Sequence, residues 1–254
     1  MNYHDRPEWS YSQMKNILDH GIDWAVAEKR KMIEQEFGTA VDLGELTHMF
    51  VLGGNAKEFV VAPYEAFRTN EAKAWRDAQK AKGKTIIRKN EYEAFVPIVD
   101  NVKAHSRSNH LLLGDGIRHE VEMYATINGV SIRGKADALQ QLSDGAVVIA
   151  DLKITTKFDE FKYKAMRRHY DLQAALYSML ACKAIGASPA LCNFWFCVAE
   201  TVFPYRVQWH HCSAEFLEHG ERKLDQCINA IKGFGDREPN FLIEEVNELG
   251  DFSL

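Results

Sequence analysis

The 254-residue chain has no surplus of positive charge, no paired cysteines and no long apolar run, and each lack removes a class of function. Net charge is −5, so no general field draws in a polyanion, and any nucleic-acid affinity has to come from local basic clusters. The five cysteines, Cys182, Cys192, Cys197, Cys212 and Cys227, are odd in number and contain no Cys-x-x-Cys pair. That argues against zinc and against a disulfide framework, and suits reduced thiols in a cytosol. No apolar stretch approaches the roughly 20 residues that span a bilayer. MNYHDRPEWS has no secretory-leader pattern, so the expectation is a cytoplasmic protein with no membrane partner. Repeats and low-complexity tracts are missing too. What is there, 46% apolar and 26% charged residues, is ordinary for a globular chain with one substantial core.

The densest information lies between His119 and Lys153. Two alternating segments, Val121–Ile127 and Val130–Leu139, flank Asn128-Gly129, a dipeptide that closes two-residue hairpins. Ser143-Asp144-Gly145 predicts the next turn, and Ala146–Ala150 reads as a buried strand running into Asp151-Leu152-Lys153. Side chains alternate faces along a strand, so Asp151 and Lys153 share one face and Leu152 takes the other. Asp137 falls near the end of the middle strand and Glu120 opens the first. Three carboxylates and a lysine can therefore converge on one patch of a single sheet.

Carboxylate oxygens suit Mg²⁺ or Mn²⁺, hard ions that keep several waters and accept phosphate oxygens. A lysine beside such an ion can position water and offset charge developing on a phosphate. The plainer reading makes Asp137 and Asp151 surface acids with Lys153 as their ion-pair partner, and for an isolated Asp-x-Lys that reading wins. Context shifts the balance: two acids face each other across a turn, one closes an apolar strand, and the lysine follows two places on.

This arrangement resembles the PD-(D/E)XK nuclease superfamily and, within it, the exodeoxyribonuclease VIII-type (RecE-like) exonucleases of phages and prophages. The matching segments are Glu120, GKAD ending in Asp137, DLK at Asp151–Lys153, YDLQAALY with Gln173 and Tyr177, and upstream LGELTH with His48. They spread over most of the chain, from Tyr11 to about residue 230. One departure is Ala136 where the family often has proline. Glu120 and Glu122 both stand where the family's glutamate falls, and Glu120 is preferred for its distance from Asp137. The resemblance implies an α/β fold, a restriction-endonuclease-like core with a mixed central sheet flanked by helices and a helical N-terminal region. It also implies a single nuclease domain over 1–254, with helices in 1–115, the catalytic core in 116–232 and a tail in 233–254.

For the site, the resemblance implies that Asp137, Asp151 and the Leu152 carbonyl hold Mg²⁺ (or Mn²⁺), with Glu120 and His48 completing the ligand set. Lys153 and Gln173 then position the attacking water, and Tyr177 supports Gln173. The cysteine pattern sets the chain apart from relatives that carry an iron–sulfur cluster. The implied activity is 5′→3′ resection of double-stranded DNA ends in a bacterial or phage-infected cell. A single-strand annealing protein would be the partner, and a ring-shaped homo-oligomer the assembly.

The remaining segments are read from the residues alone. SYSQMKNILDHG predicts a helix from Ser10 or Ser12 to Gly21, after a loose lead-in over residues 1–10. A second helix is expected from Asp23 to about Phe37, and a third over Thr39–Leu52, stopped by Gly53-Gly54-Asn55. Without the resemblance, His48 on that third helix would be a histidine satisfied by a backbone carbonyl. Phe59–Ala62 reads as a short strand. Residues 71–89 are the most basic stretch, and as a group Lys80, Lys82 and Lys84 are a candidate DNA-backbone surface, though for any single lysine a solvated helix or loop is the commoner reading. Trp75 can stack on a base, but core anchoring is the commoner fate. One long helix is expected over Asn90–Leu113 and another from about Lys164 to Ile185, with Arg167 and Arg168 near its start as phosphate contacts. Thr155 can bind a phosphate or, more commonly, close a turn. Leu191–Val198 and Val202–Trp209 read as a strand pair, with Pro204 at an edge or bulge. A last helix is expected over Ser213–Lys232.

Overall fold

The computed structural model describes residues 3–33, 43–53 and 59–241. Ser10 caps α1 (Tyr11–His20) by accepting the Gln13 N–H, while the Gln13 side chain accepts the Ser10 N–H. Gly21, with φ of 87°, ends that helix. α2 (Ile22–Lys29) is shorter than the expected helix to Phe37; it closes at Arg30, and residues 34–37 lie outside the described residues. α3 (Leu43–Leu52) carries LGELTH and His48. The expected start at Thr39 and the Gly54-Asn55 stop also lie outside the described residues.

β1 (Phe59–Ala62) pairs in parallel with β2 (Thr85–Arg88), with α4 (Asn70–Ala81) between them. β2 is masked in the sequence by the lysines around it. The helix expected over Asn90–Leu113 is two, α5 (Lys89–Ala104) and α6 (Ser106–Leu111). His105 separates them with an extended ψ of 125°, and its Nδ1 accepts the Arg107 N–H as a cap.

Asn128 and Gly129 both take positive φ, 48° and 85°, the combination that lets a two-residue turn follow the strand twist. They join β3 (Arg118–Ile127) to β4 (Val130–Gln141), and β5 (Val147–Thr155) follows. The helix expected from Lys164 is also two, α7 (Phe161–Arg167) and α8 (Tyr170–Ile185), because His169 adopts a left-handed φ of 55° between them. β6 (Cys192–Glu200) and β7 (Val207–His211) are separated by a tight turn over 201–206. Pro204 sits in that turn, not in a strand. α9 (Ala214–Phe234) is capped by Ser213 and runs through Gly233, which its neighbours hold helical, to Gly235. No helix among the described residues is long and apolar enough to cross a membrane.

The sheet order is β3-β4-β5-β6-β7, antiparallel except for the β5–β6 pair. That parallel pair needs a crossover, and α7 and α8 supply it. Val147–Ala150 are buried without alternation because helices cover both faces of the sheet. On one face Ile149, Phe194 and Phe196 pack with Met14 of α1, Leu172 and Leu176 of α8, and Leu224 of α9. On the other, Ala150, Leu152 and Cys197 pack with Leu46 of α3 and with Phe95, Ile98 and Val102 of α5. α8 and α9 approach backbone to backbone at Gly220, where a Cβ would overlap the Asp171 carbonyl.

Candidate active site

The site exists because β4 leaves β5. Their ladder covers only Ala138–Gln141 against Val147–Ala150, so beyond Ala150 the backbone groups of β5 that faced β4 need other partners. The Leu152 N–H donates to Asp137 Oδ2 at 2.8 Å, and the Leu152 carbonyl accepts His48 Nε2 from α3 at 2.7 Å. The edge of β4 freed by the same divergence is taken up at Ser131–Arg133 by Trp9, through Trp9 N–H to Ser131 O (2.9 Å) and Arg133 N–H to Trp9 O (2.8 Å). Residues 3–9 are therefore pinned to the sheet and are not the loose lead-in expected.

Glu120 stands opposite Asp137, between the pairs His119↔Ala138 and Val121↔Ala136, but is not itself paired. Its φ of 52° is left-handed, which costs a non-glycine residue about 1–2 kcal/mol. The kink brings its carboxylate toward Asp137 and His48. One ligand atom from each of His48, Glu120 and Asp137 lies within 4.8 Å of the other two. Two oxygens that share an ion at about 2.1 Å are at most about 4.2 Å apart, so small side-chain shifts suffice for a common cation. His48 Nε2 donates to the Leu152 carbonyl, and Nδ1 faces Asp137 Oδ2, 3.3 Å away. A cation or a proton between them makes that contact favourable. The donor set, two carboxylates and an imidazole, fits Mg²⁺ or Mn²⁺.

Asp151 completes the other half. It is 2% exposed; Oδ1 accepts from Gln173 Nε2 of α8 at 2.7 Å, and Oδ2 meets Lys153 Nζ at 2.5 Å. Lys153 lies 5.0 Å from the Tyr170 ring centroid. Burial by itself would discharge this ammonium, but the carboxylates of Asp151 and Asp137 outweigh it and raise its pKa. Asp137 is pushed up to about 6, first by burial and then by the neighbouring Asp151 charge. Tyr177, buried beneath the sheet one helical turn from Gln173, is held well above its ordinary value by burial. A Cβ at Gly134 of GKAD would stand 3.0 Å from the Tyr177 ring and 2.8 Å from Leu180, which accounts for glycine there.

The expected site residues thus fall into two touching groups, His48, Glu120 and Asp137 in one and Asp151, Lys153, Gln173 and Tyr177 in the other. The Leu152 carbonyl lies between them. Glu120 carries an ion pair with Lys135, while Glu122 is exposed and bonds Tyr124. The others lie farther out. Lys80 lies in the last turn of α4, and Lys82 and Lys84 follow it before β2, which belongs to the two-stranded sheet and not to the sheet that carries the acids. Trp75 is half-buried and stacks on Phe67, 6.4 Å between centroids. The Thr155 hydroxyl closes a turn with the Lys157 backbone. Arg167 and Arg168 line a cavity beside it.

Sequence reasoning missed Asp171, His219 and Lys223. Asp171 is fully buried between α8 and α9, paired with His219 Nδ1 and with Lys223 Nζ at 2.8 Å. The available signal was a histidine and a lysine four apart on the apolar stripe of α9.

The five-stranded mixed sheet, opened into a fork that carries acids and a lysine, is a PDDEXK-like nuclease fold. Residues 10–239 match the model of the PDDEXK-like domain of unknown function (DUF3799), and the chain belongs to that family. Among solved structures, a candidate exonuclease from Eubacterium rectale aligns over 96% of this chain and 90% of its own. Its TM-score is 0.59 at 14% identity, a likeness of fold. The structure of SSO0001 aligns over 72% of this chain and 84% of its own at 12% identity, with a TM-score of 0.31 that is too low to carry a shared fold. No curated protein matches the chain in sequence.

Proposed function

We propose that the protein is a divalent-metal-dependent deoxyribonuclease that degrades double-stranded DNA from its ends. The observation that carries this reading is the fork itself. His48, Glu120 and Asp137 offer ligands within one ion's reach, directly beside a buried aspartate–lysine–glutamine set.

Asp137, Glu120 and His48 would hold the ion, with Asp151 and the Leu152 carbonyl at its margin. When bound, Mg²⁺ or Mn²⁺ supplies charge for the phosphate and lowers the pKa of its water. The rest is done by the chain. Lys153, kept charged by its two aspartates, presents an ammonium to the scissile phosphate and to the attacking water. Gln173 holds the Asp151 carboxylate in one orientation, and Tyr177 packs one turn further along the same helix. Leu152, turned into the apolar layer of α3 and α5, fixes the strand so that its neighbours face the fork. Lys135 pairs with one Glu120 oxygen and leaves the other free to take a metal.

The resemblance to RecE-like exonucleases and the fold shared with the Eubacterium rectale protein favour 5′→3′ resection for phage-type recombination. On this reading Mg²⁺ is the working ion, the protein is cytoplasmic and ring-forming, and a single-strand annealing protein takes up the product. Digestion of end-labelled linear duplex and of closed circular DNA in Mg²⁺ tests it. The expected result is loss of linear DNA from its 5′ ends and survival of the circle. Cutting of the circle would make the enzyme an endonuclease, and intact DNA of both kinds would remove the nuclease reading.

A further inference from the structure

The C-terminal ends of β5 and β6 carry a surface that the carboxylate fork does not use. A cavity of about 440 Å³ opens there between Thr155, Thr156 and Lys157 on one side and Lys164, Arg167 and Arg168 on the other. Glu160, paired with Lys157 at 2.7 Å, is the one acid among its lining residues, so cations outnumber acids four to one. Thr155 lies two residues beyond Lys153, about 7 Å along the strand.

The turn over 201–206 stands next to this cavity. The Thr201 N–H donates to the Thr155 carbonyl at 2.8 Å. Arg206 grips Glu200 with two bonds of 2.8 and 2.9 Å, and Asn101 Nδ2 donates to the Tyr205 carbonyl at 2.8 Å. This tethered turn holds Phe203 83% exposed. Tyr163, on the cavity's rim, is 76% exposed. An aromatic ring usually finds cover, and here a braced turn, joined through Thr201 to the cavity's Thr155, keeps one in water.

We propose that Phe203 and the basic cavity bind single-stranded nucleic acid, the ring stacking on an unpaired base while Lys157, Lys164, Arg167 and Arg168 hold the flanking phosphates. The charge of the cavity selects a polyanion, and the exposed ring selects one with open planar faces, which a paired base does not offer. The inference rests on the nuclease reading and narrows it: the preferred substrate is a duplex end with a frayed or overhanging strand.

Binding measured by anisotropy in EDTA, where no cleavage occurs, separates the possibilities. The probes are a blunt duplex and the same duplex with a tail containing 2-aminopurine. Wild type should bind the tailed duplex more tightly and quench the 2-aminopurine. Phe203→Ala should weaken tailed binding about tenfold and abolish the quench, with blunt binding changed less than about twofold and the melting temperature unmoved. Phe203→Trp should restore both. Tailed binding and quenching unchanged in Phe203→Ala would overturn the proposal and leave the nuclease reading standing. So would a fall in sedimentation coefficient in that variant without loss of DNA binding, which would make the tip a contact between protein copies. Failure of the wild type to bind the tailed duplex would overturn the proposal, while the nuclease reading stands or falls separately, by cleavage in Mg²⁺.

Discussion

The molecule buries two clusters of the same residue types and balances them in opposite ways. At the fork, Asp137 and Asp151 crowd each other, and Asp137 is driven up to about 6 by burial and by its neighbour's charge. Between α8 and α9, Asp171 is just as deeply placed, yet its pKa is lowered. Burial pushes it up, but hydrogen bonds from Lys223 and His219 outweigh that. The second cluster is electrostatically complete and serves as a clamp. The first gathers three carboxylates, two of which lie with a histidine nitrogen within one ion's reach, so it has room for a cation. Identical side chains therefore separate into structure and chemistry by what surrounds them.

The sharpest way to break this contrast is to remove one acid from each cluster. Asp151→Asn or Lys153→Met should lower DNA cleavage by at least about a thousandfold while thermal unfolding stays within a few degrees of wild type. Asp171→Ala should do the reverse. Leaving His219 and Lys223 without their buried partner should cost about 2–4 kcal/mol in denaturant melts, with activity per folded molecule largely kept. Cleavage retained by Asp151→Asn, or a stable Asp171→Ala, would erase the distinction.

The two clusters should also differ in pH response. Asp137 holds its proton more tightly folded than unfolded, so it destabilises the metal-free protein as pH rises from about 4 through about 6. Asp171 holds its proton less tightly folded, so its stabilisation is present above about 4 and is lost on further acidification. In metal-free protein, Asp137→Asn should flatten the fall in melting temperature between pH 4 and 6 and leave the acid limb unchanged. An unaltered profile would mean that Asp137 is already neutralised by its neighbours.

How much of this was legible beforehand depends on the range of the interaction. The β3–β4 hairpin shows in Asn128-Gly129, and the buried strand in its unbroken apolar run, because turn chemistry and two-sided burial are local. The placing of Asp151 and Lys153 on one face follows from alternation alone. The helix breaks at His105 and His169 were hidden, since neither residue is a glycine or proline: the His105 ring caps α6 locally, and His169 bonds Asp19 of α1. The fork was hidden as well: β4 leaves β5 with no local signal, and the His48 that bonds the Leu152 carbonyl in place of a ladder partner comes from 104 residues upstream. The α8–α9 clamp was missed because pairing Asp171 with His219 and Lys223 requires knowing that Gly220 lets the two helices touch.

A weaker effect is expected at the lysine run. Neutralising Lys80, Lys82 and Lys84 should reduce the salt slope of DNA binding by no more than about two units if they contact backbone phosphates. An unchanged slope would mark them as solvated surface on the two-stranded sheet.

The central claim, that the fork takes a divalent cation and the clamp does not, is tested most directly by Mn²⁺ titration calorimetry on the wild type, Asp137→Asn and Asp171→Asn. The account predicts binding by the wild type and Asp171→Asn, and at least a tenfold loss of affinity in Asp137→Asn. Equal isotherms for all three proteins would contradict it.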